Sequence, residues 1–453
     1  MKCGSCDKNV MLKEARNNHF FIHLPIAIQI KSYLEHSNLS EDLIKEKESP
    51  DKISDINSGA LYEGIYKKFL GKRFLSLLFN TDGVSLYKSS SVSFWPLQCA
   101  INEVVPEKRQ KYMLLAGLWC CPSKPNMSLN FLKPIVEEFK IIERDGVKWF
   151  DKSQGNEAVV YVISLACACD SPARALMQNF KQFNGKYGCS FCLSSGTMLE
   201  GTVTRVYPFT REVETRNHPN TVEQAKIALH ARENAPRSHD KSEFGVKGLT
   251  ELSLLQNFDI ISGFSCDYMH SVLLGVTRQF VFYWCEEVGK PFYIGRKLNL
   301  VDESIANLKI PSEIGRQLTP LSTKRKMYKA NQWRTLLLAS PVIFKGILPE
   351  PYFKHWMLLC HSIYILSKKV IEKGSLNLVH DMLCKFVCKV IDVYDLSACT
   401  FNVHLLTHLV SSVENLGPLW ASSTFIFESM NGVIKSSSMV LKEFPCNLLG
   451  TSY

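Results

Sequence analysis

Two apolar runs that each stop at an aspartate constrain this chain more than any other feature. Residues 74–80 (FLSLLFN) lead into Thr81-Asp82-Gly83, and residues 158–169 (AVVYVISLACAC) lead into Asp170-Ser171-Pro172. A short apolar run closed by a turn signal predicts a buried strand. A carboxylate at the exit of such a strand is held rigidly at the sheet edge where ligands bind. Two of them on neighbouring strands can bridge a pair of Mg²⁺ ions roughly 4 Å apart. Taken singly, each has an ordinary structural explanation, because Asp-Gly and Asp-Ser-Pro are common turn and cap sequences.

Around these runs the pattern changes along the chain. Residues 20–35 (FFIHLPIAIQIKSYLE) predict a short apolar segment, broken at Pro25, and then an amphipathic helix. Residues 37–58 are polar, charged and interrupted by Pro50, so they predict a flexible link. Residues 92–105 and 112–121 are further strand candidates either side of a charged turn, PEKRQK. Residues 127–143 have helical spacing with Pro134 as a flaw, and Pro172 suits the first turn of a helix running on through ARALMQNFKQF. Beyond Cys192 the pattern is mostly helical, over 249–258, 267–287, 332–345, 353–372 and 376–395, with polar links such as 234–241. A sheet domain with a large helical insertion accounts for this order, and a separate C-terminal helical domain is the alternative that periodicity leaves open. The expected divisions are 1–60 as lead-in and linker, 61–192 as the first part of a sheet core, 193–402 as a helical insertion, and 403–453 as the closing part of the core.

Further residues carry possible chemistry. Cys189-Ser-Phe-Cys192 offers two thiolates, and His404-Leu-Leu-Thr-His408 sets two imidazoles on one helix face. Two Cys and two His complete a tetrahedral zinc site, so the four would clasp the ends of the insertion. A surface CxxC and two helix histidines that never meet is the equal alternative. Cys3 and Cys6 have similar spacing but no second pair nearby. Glu428 opens a helix that carries Lys435, and stands either towards the aspartates or as an ordinary first-turn acid. Lys324, Arg325, Lys326, Lys329 and Arg334 surround Trp333 without an acid among them, which suits either phosphate contact or a solvated helix face.

Several segments, taken together and in order over roughly residues 1–436, resemble DDE DNA transposases of the CACTA/Mirage/Chapaev group, specifically the En/Spm-like ones of animal genomes. They are HFFIHLPIAIQIKSYLE, NTDGVSLYKSS, YMLLAGLW followed by PSKPNM, CDSPARA, YGCSFC, GFSCDYMHSVLLGVTRQF, KRKMYKANQWR, FNVHLLTHLV and GPLWASSTFIFESMNG. The resemblance implies an α/β fold, an RNase H-like DDE core interrupted by a large α-helical insertion with a zinc clasp. It implies Asp82, Asp170 and Glu428 as the catalytic triad, holding two Mg²⁺ or Mn²⁺ ions for DNA strand cleavage and transfer. Cys189, Cys192, His404 and His408 correspond to the ligands of one Zn²⁺. Asp267 and His270 correspond to a D-x-x-H signature that supports either the site or a buried helical core. The implied partner is DNA, at transposon ends and target, with a homo-oligomer assembled on it in the nucleus.

Composition fits this class and excludes others. Hydrophobic residues make up 46% and charged residues 21%, which suits a packed core and not a low-complexity chain. The formal charge of +10 is compatible with a polyanionic partner. Sixteen cysteines without an apolar leader segment predict free thiols and metal ligands inside a soluble intracellular protein. The chain begins almost at the CGSC sequence and continues only briefly past Glu428, so the resemblance predicts a terminally truncated copy. The alternative it carries is an inactive relic or domesticated protein that binds DNA or protein in the nucleus.

Overall fold

The computed structural model describes residues 20–45, 49–85, 93–121, 125, 127–234, 240–309 and 316–440. The architecture is mixed α/β. A curled seven-stranded sheet has the order Phe20–His23, Leu114–Cys121, Ser93–Ile101, Phe74–Thr81, Asn156–Cys167 and Val147–Asp151, with Val84–Ser85 paired to Ser93–Ile101. The central strand Phe74–Thr81 is buried at every residue but the first. It reads as an almost continuous apolar run because helices cover both faces of the sheet. Leu75, Leu77 and Phe79 share a core with Ile26 and Ile30 of helix Ile26–His36 and with Ile135, Val136 and Phe139 of helix Lys133–Arg144. Leu78 faces the other way, into a core with Ile65 of helix Ala60–Lys68 and Phe427 of the last helix, Phe425–Val440.

The central strand pairs antiparallel with Ser93–Ile101 and parallel with Asn156–Cys167, where Phe79 is opposite Cys167. Asp82 and Asp170 therefore each stand three residues beyond partnered positions on adjacent parallel strands. Past the second strand, the chain at Gly263 to Ser265 lies alongside: Cys167 N donates to Gly263 O at 2.7 Å, and Ser265 N donates to Cys167 O at 2.9 Å. This contact delivers Asp267 and His270 to the same edge.

Several expected boundaries differ. Phe20–His23 pairs antiparallel with Leu114–Cys121, so this part of the expected lead-in belongs to the sheet. Much of the expected flexible link is also tied down. Asp55 caps Ile56–Ser58 and meets Arg109 through two hydrogen bonds, Oδ1 to Nη1 at 2.9 Å and Oδ2 to Nη2 at 2.5 Å, with both side chains buried. Polar composition there marks a satisfied internal ion pair. Pro134, the flaw in the helical reading of 127–143, sits in the first turn of Lys133–Arg144 after a π-turn at Met127–Leu132. The helix after Asp170 is only Ser171–Met177, and the chain breaks from helical geometry where Asn179 takes a φ of 57°. Residues 249–258 supply only the short turn Glu251–Leu254. Val147–Asp151, a hairpin partner of Asn156–Cys167, and helix His218–Asn234 were not anticipated.

The helices Arg278–Glu286, Ala330–Ile343, Glu350–Leu366 and Leu376–Val393 build a third core around Phe280, Trp284, Trp333 and Trp356. It meets the core of Leu78 where helix Leu409–Leu416 reaches the sheet, its Leu416 packing with Ile56 and Ile65. A Cβ on Gly59 would lie 2.3 Å from Asn415 O, so only glycine permits this crossing. Among the described residues no helix is long and apolar enough to cross a membrane.

Candidate metal centres

The first centre forms at the sheet edge. Asp82, His270 and Glu428 each offer a ligand atom, all within 4.8 Å of one another. Asp82 leaves the central strand and accepts from Gly83 N at 2.6 Å. A Cβ on Gly83 would fall 2.7 Å from the Trp95 ring, so glycine lets the turn close against that indole. Asp170 Oδ1 accepts from Ala173 N at 2.7 Å and caps Ser171–Met177. The ordinary cap role of Asp170 is thus realised, and its charge also reaches Asp82, His270 and Glu428.

Asp267 organises the remaining side. It is buried, and it accepts from Thr424 N at 2.9 Å, Thr424 Oγ1 at 3.1 Å and His270 N at 2.8 Å. Its Oδ2 also meets His270 Nδ1 at 2.8 Å, and a carboxylate can only accept, so Nδ1 carries the proton. One carboxylate thereby joins the start of the helical region to the start of the last helix, four residues before Glu428. One buried amide contact ties that helix to the sheet. Asn80 Nδ2 donates to Ala168 O at 2.7 Å, Asn80 is opposite Gln98, and Gln98 Nε2 donates to Asn431 Oδ1 at 2.5 Å. Asn431 lies one turn beyond Glu428. Gln98 and Asn431 escaped notice in the sequence, although polar residues inside FLSLLFNT and SFWPLQCAI were the available signal.

The electrostatics of this cluster are unfavourable. Loss of hydration, followed by the negative charge of Asp170, pushes the Asp82 carboxyl up to about 7. Desolvation also raises Glu428, with His270 opposing and Asp267 and Asp170 adding to the shift. Burial works against charge on His270, but the hydrogen bond and charge of Asp267, helped by Asp170 and Asp82, raise it to about 9. Carboxyls raised at Asp82 and Glu428 beside an imidazole raised at His270 are a donor set short of positive charge.

The second centre lies inside the helical core. Cys189, Cys192, His404 and His408 place all four ligand atoms within 4.8 Å of one another. Cys189 Sγ is 3.6 Å from His408 Nε2, Cys192 Sγ is 3.4 Å from His404 Nε2, and the two Nε2 atoms are 3.3 Å apart. Ideal tetrahedral Zn²⁺ bonds give edges of about 3.6 Å for S···N and about 3.4 Å for N···N. The donor set and its spacing fit that ion. Arg216, buried, fixes the thiol loop by donating to Cys189 O at 2.9 Å, Tyr187 O at 3.1 Å and Phe244 O at 2.6 Å. Burial opposes ionisation of Cys189, but the hydrogen bond from Cys192 and the two imidazoles hold its thiol well below the usual range. The described cysteines are all free thiols, while Cys3 and Cys6 lie outside the described residues.

Arg174, also missed, connects the two centres. Its guanidinium lies 4.6 Å over the Phe191 ring, Nη2 donates to Ser171 Oγ at 3.1 Å, and Nη1 donates to Ser265 O at 3.3 Å. Phe191 in turn packs on His408 with ring centroids 5.3 Å apart.

The basic segment does not form one uniform stripe. Lys324, Lys326 and Lys329 are exposed, whereas Trp333 is in the core. Arg325 pairs with Glu286 at 3.0 Å and donates to Leu321 O and Ser322 O. Arg334 turns towards the last helix, 5.8 Å over the Phe425 ring.

No curated protein matches the chain. Residues 59–238 match the family model described as transposase family tnp2. That stretch contains Asp82, Asp170, Cys189 and Cys192, while His270, His404, His408 and Glu428 join them through the fold. The match supports a transposase-family relationship.

Proposed function

We propose that this chain is a DNA-binding protein of transposase descent, of the En/Spm-like kind, whose sheet-edge centre cuts and joins DNA strands with two divalent ions, Mg²⁺ or Mn²⁺. The observation that carries this reading is the placement of Asp82 and Asp170 at matching exits of adjacent parallel strands, with Glu428 beside Asp82. An antiparallel meander on one side of the central strand and a parallel strand on the other support an RNase H-like core. Bound ions would activate water or a DNA 3′-OH and stabilise the leaving 3′-oxygen. Asp82 and Glu428 fall in one donor cluster with His270, while Asp170 lies outside that cluster, near enough for its charge to act on all three, and would offer Oδ2 to an ion while Oδ1 caps its helix.

The second centre would hold one structural Zn²⁺. Arg174 and Phe191 would then transmit the rigidity of that clasp to the helix behind Asp170. Such a protein acts in the nucleus, where its substrate is.

The test is a nicking and strand-transfer assay on DNA with Mg²⁺ or Mn²⁺, beside Asp82→Asn, Asp170→Asn and Glu428→Gln. The expected result is metal-dependent cleavage by the wild type, reduced at least about 10³-fold in each variant. DNA binding without cleavage by a zinc-loaded, folded wild type would replace this reading with that of a binding protein that has lost catalysis.

A further inference from the structure

We propose that His270 is a nitrogen ligand of the ion held between Asp82 and Glu428, making this a mixed oxygen–nitrogen site that takes Mn²⁺ in preference to Mg²⁺. The inference rests on the divalent-ion reading above and adds the donor set of one ion.

Three features distinguish this imidazole from a structural histidine. One of its ring nitrogens lies within 4.8 Å of a carboxylate oxygen of Asp82, just past the central strand, and of Glu428 in the last helix, a spacing at which the three could share an ion. Its Nδ1 is bound to Asp267 at 2.8 Å, which leaves Nε2 as the ring nitrogen not engaged by that carboxylate. Its side chain is 27% exposed, so an ion arriving from solvent reaches it. His355 provides the contrast. It is buried, stacked on Phe386 at 4.2 Å and bonded through Nε2 to Phe386 O at 2.9 Å, its Nδ1 is buried without a hydrogen-bond partner, and the charge acting on it is that of Lys389 rather than of carboxylates.

Asp267 is built for orientation. Buried and accepting from two segments, it fixes both the ring plane and the tautomer of His270. A carboxylate behind a histidine in this manner makes the imidazole a better metal ligand. Nitrogen donation bears on which ion binds. Mg²⁺ favours oxygen donors and retained waters in near-ideal octahedra, whereas transition ions accept imidazole readily. Replacing one oxygen by Nε2 therefore favours Mn²⁺.

The test is electron spin-echo spectroscopy of the full-length, zinc-loaded protein titrated with Mn²⁺. The wild type is expected to show ¹⁴N modulation from a directly bound imidazole. His270→Gln should lose it, bind Mn²⁺ about tenfold more weakly, and retain Mg²⁺ affinity within about twofold. Asp267→Asn should weaken the modulation without removing the carboxylate donors. If Mn²⁺ binding requires Asp82 and Glu428 but the ¹⁴N signal is absent or survives His270→Gln, the ligand role fails and the divalent-ion reading stands. If Asp82→Asn and Glu428→Gln leave Mn²⁺ binding unchanged, both fail.

Discussion

The two centres are opposites in how they tolerate an absent ion. In the helical core, thiols and imidazoles stand at the separations of a tetrahedron, behind a buried arginine that holds their loop. At the sheet edge, acids are crowded until Asp82 retains its proton up to about 7, and Glu428 is open to solvent. In the first, the four donor atoms face one another within the helical core. The second is destabilised by its own charges and remains accessible, as a site that must admit phosphate oxygens requires. On the reading proposed above, the buried four-donor set would take the structural ion and the more exposed set the catalytic ones.

The sharpest way to break this contrast is to remove a buried ligand. Structural zinc contributes on the order of 10 kcal/mol, comparable with the stability of a whole domain. Cys189→Ser or His408→Ala should release about one zinc per chain, measured by elemental analysis, and collapse the melting transition. Zinc-free soluble protein that melts unchanged in both variants would abolish the distinction.

At the sheet edge the opposite sign is expected for stability. Asp82→Asn should remove cleavage yet raise the melting temperature of the zinc-loaded protein freed of Mg²⁺ and Mn²⁺ by a few degrees at pH 8, because it removes a destabilising charge. The pH dependence follows from the same acids. Asp82 holds its proton up to about 7 when folded against an ordinary 3.8, so the folded state binds more protons between these values and stability falls as pH rises through them. His270, raised from 6.5 to about 9, contributes fully below 6.5 and loses that contribution as pH climbs through 9. With zinc in place but without Mg²⁺ or Mn²⁺, stability should decline from about pH 4 to pH 9, and saturating Mn²⁺ should flatten the curve above pH 6. Glu103, pushed by burial to about 7, adds a slope of the same sign, so the share from Asp82 is the difference between wild type and Asp82→Asn.

Smaller effects test how Glu428 is held. Asn431→Leu deletes the partner of Gln98 beneath the last helix and should weaken Mn²⁺ binding several-fold, with zinc content unchanged in the same sample. The least effect is expected from the basic segment. Removing Lys324, Lys326 and Lys329 should lower the salt dependence of DNA binding by about one unit per lost contact. Arg325→Gln should leave that slope unchanged, since its guanidinium is engaged by Glu286.

Much of this arrangement was legible because it is written in local pattern. The two strands announce themselves as apolar runs ended by turn residues, and the Cys and His pairs have ligand spacing. The expectation of a loose segment at 37–58 failed because Asp55 and Arg109 are far apart in sequence, so their polar character looks like exposure until the fold pairs them. Asp170 was posed as either cap or site residue, and its two oxygens allow both. Asp267 and His270 were left undecided because spacing could not reveal that the loop before them lies along the exit of strand Asn156–Cys167. Gln98 and Asn431 were invisible for the same reason, since a cross-sheet amide pair has no sequence period.

The Asp267 joint, where the helical region meets Thr424, also bears on how the protein matures. Each centre draws donors from both early and late stretches of the chain. A nascent polypeptide can fold its central strands and expose its thiols long before the last helix leaves the ribosome. Until Thr424 docks on Asp267, His404 and His408 have closed on the thiols, and Glu428 has reached the sheet, neither donor set is complete. Such long-range closure is slow to nucleate. Each donor set is therefore completed only when these late segments have joined the fold.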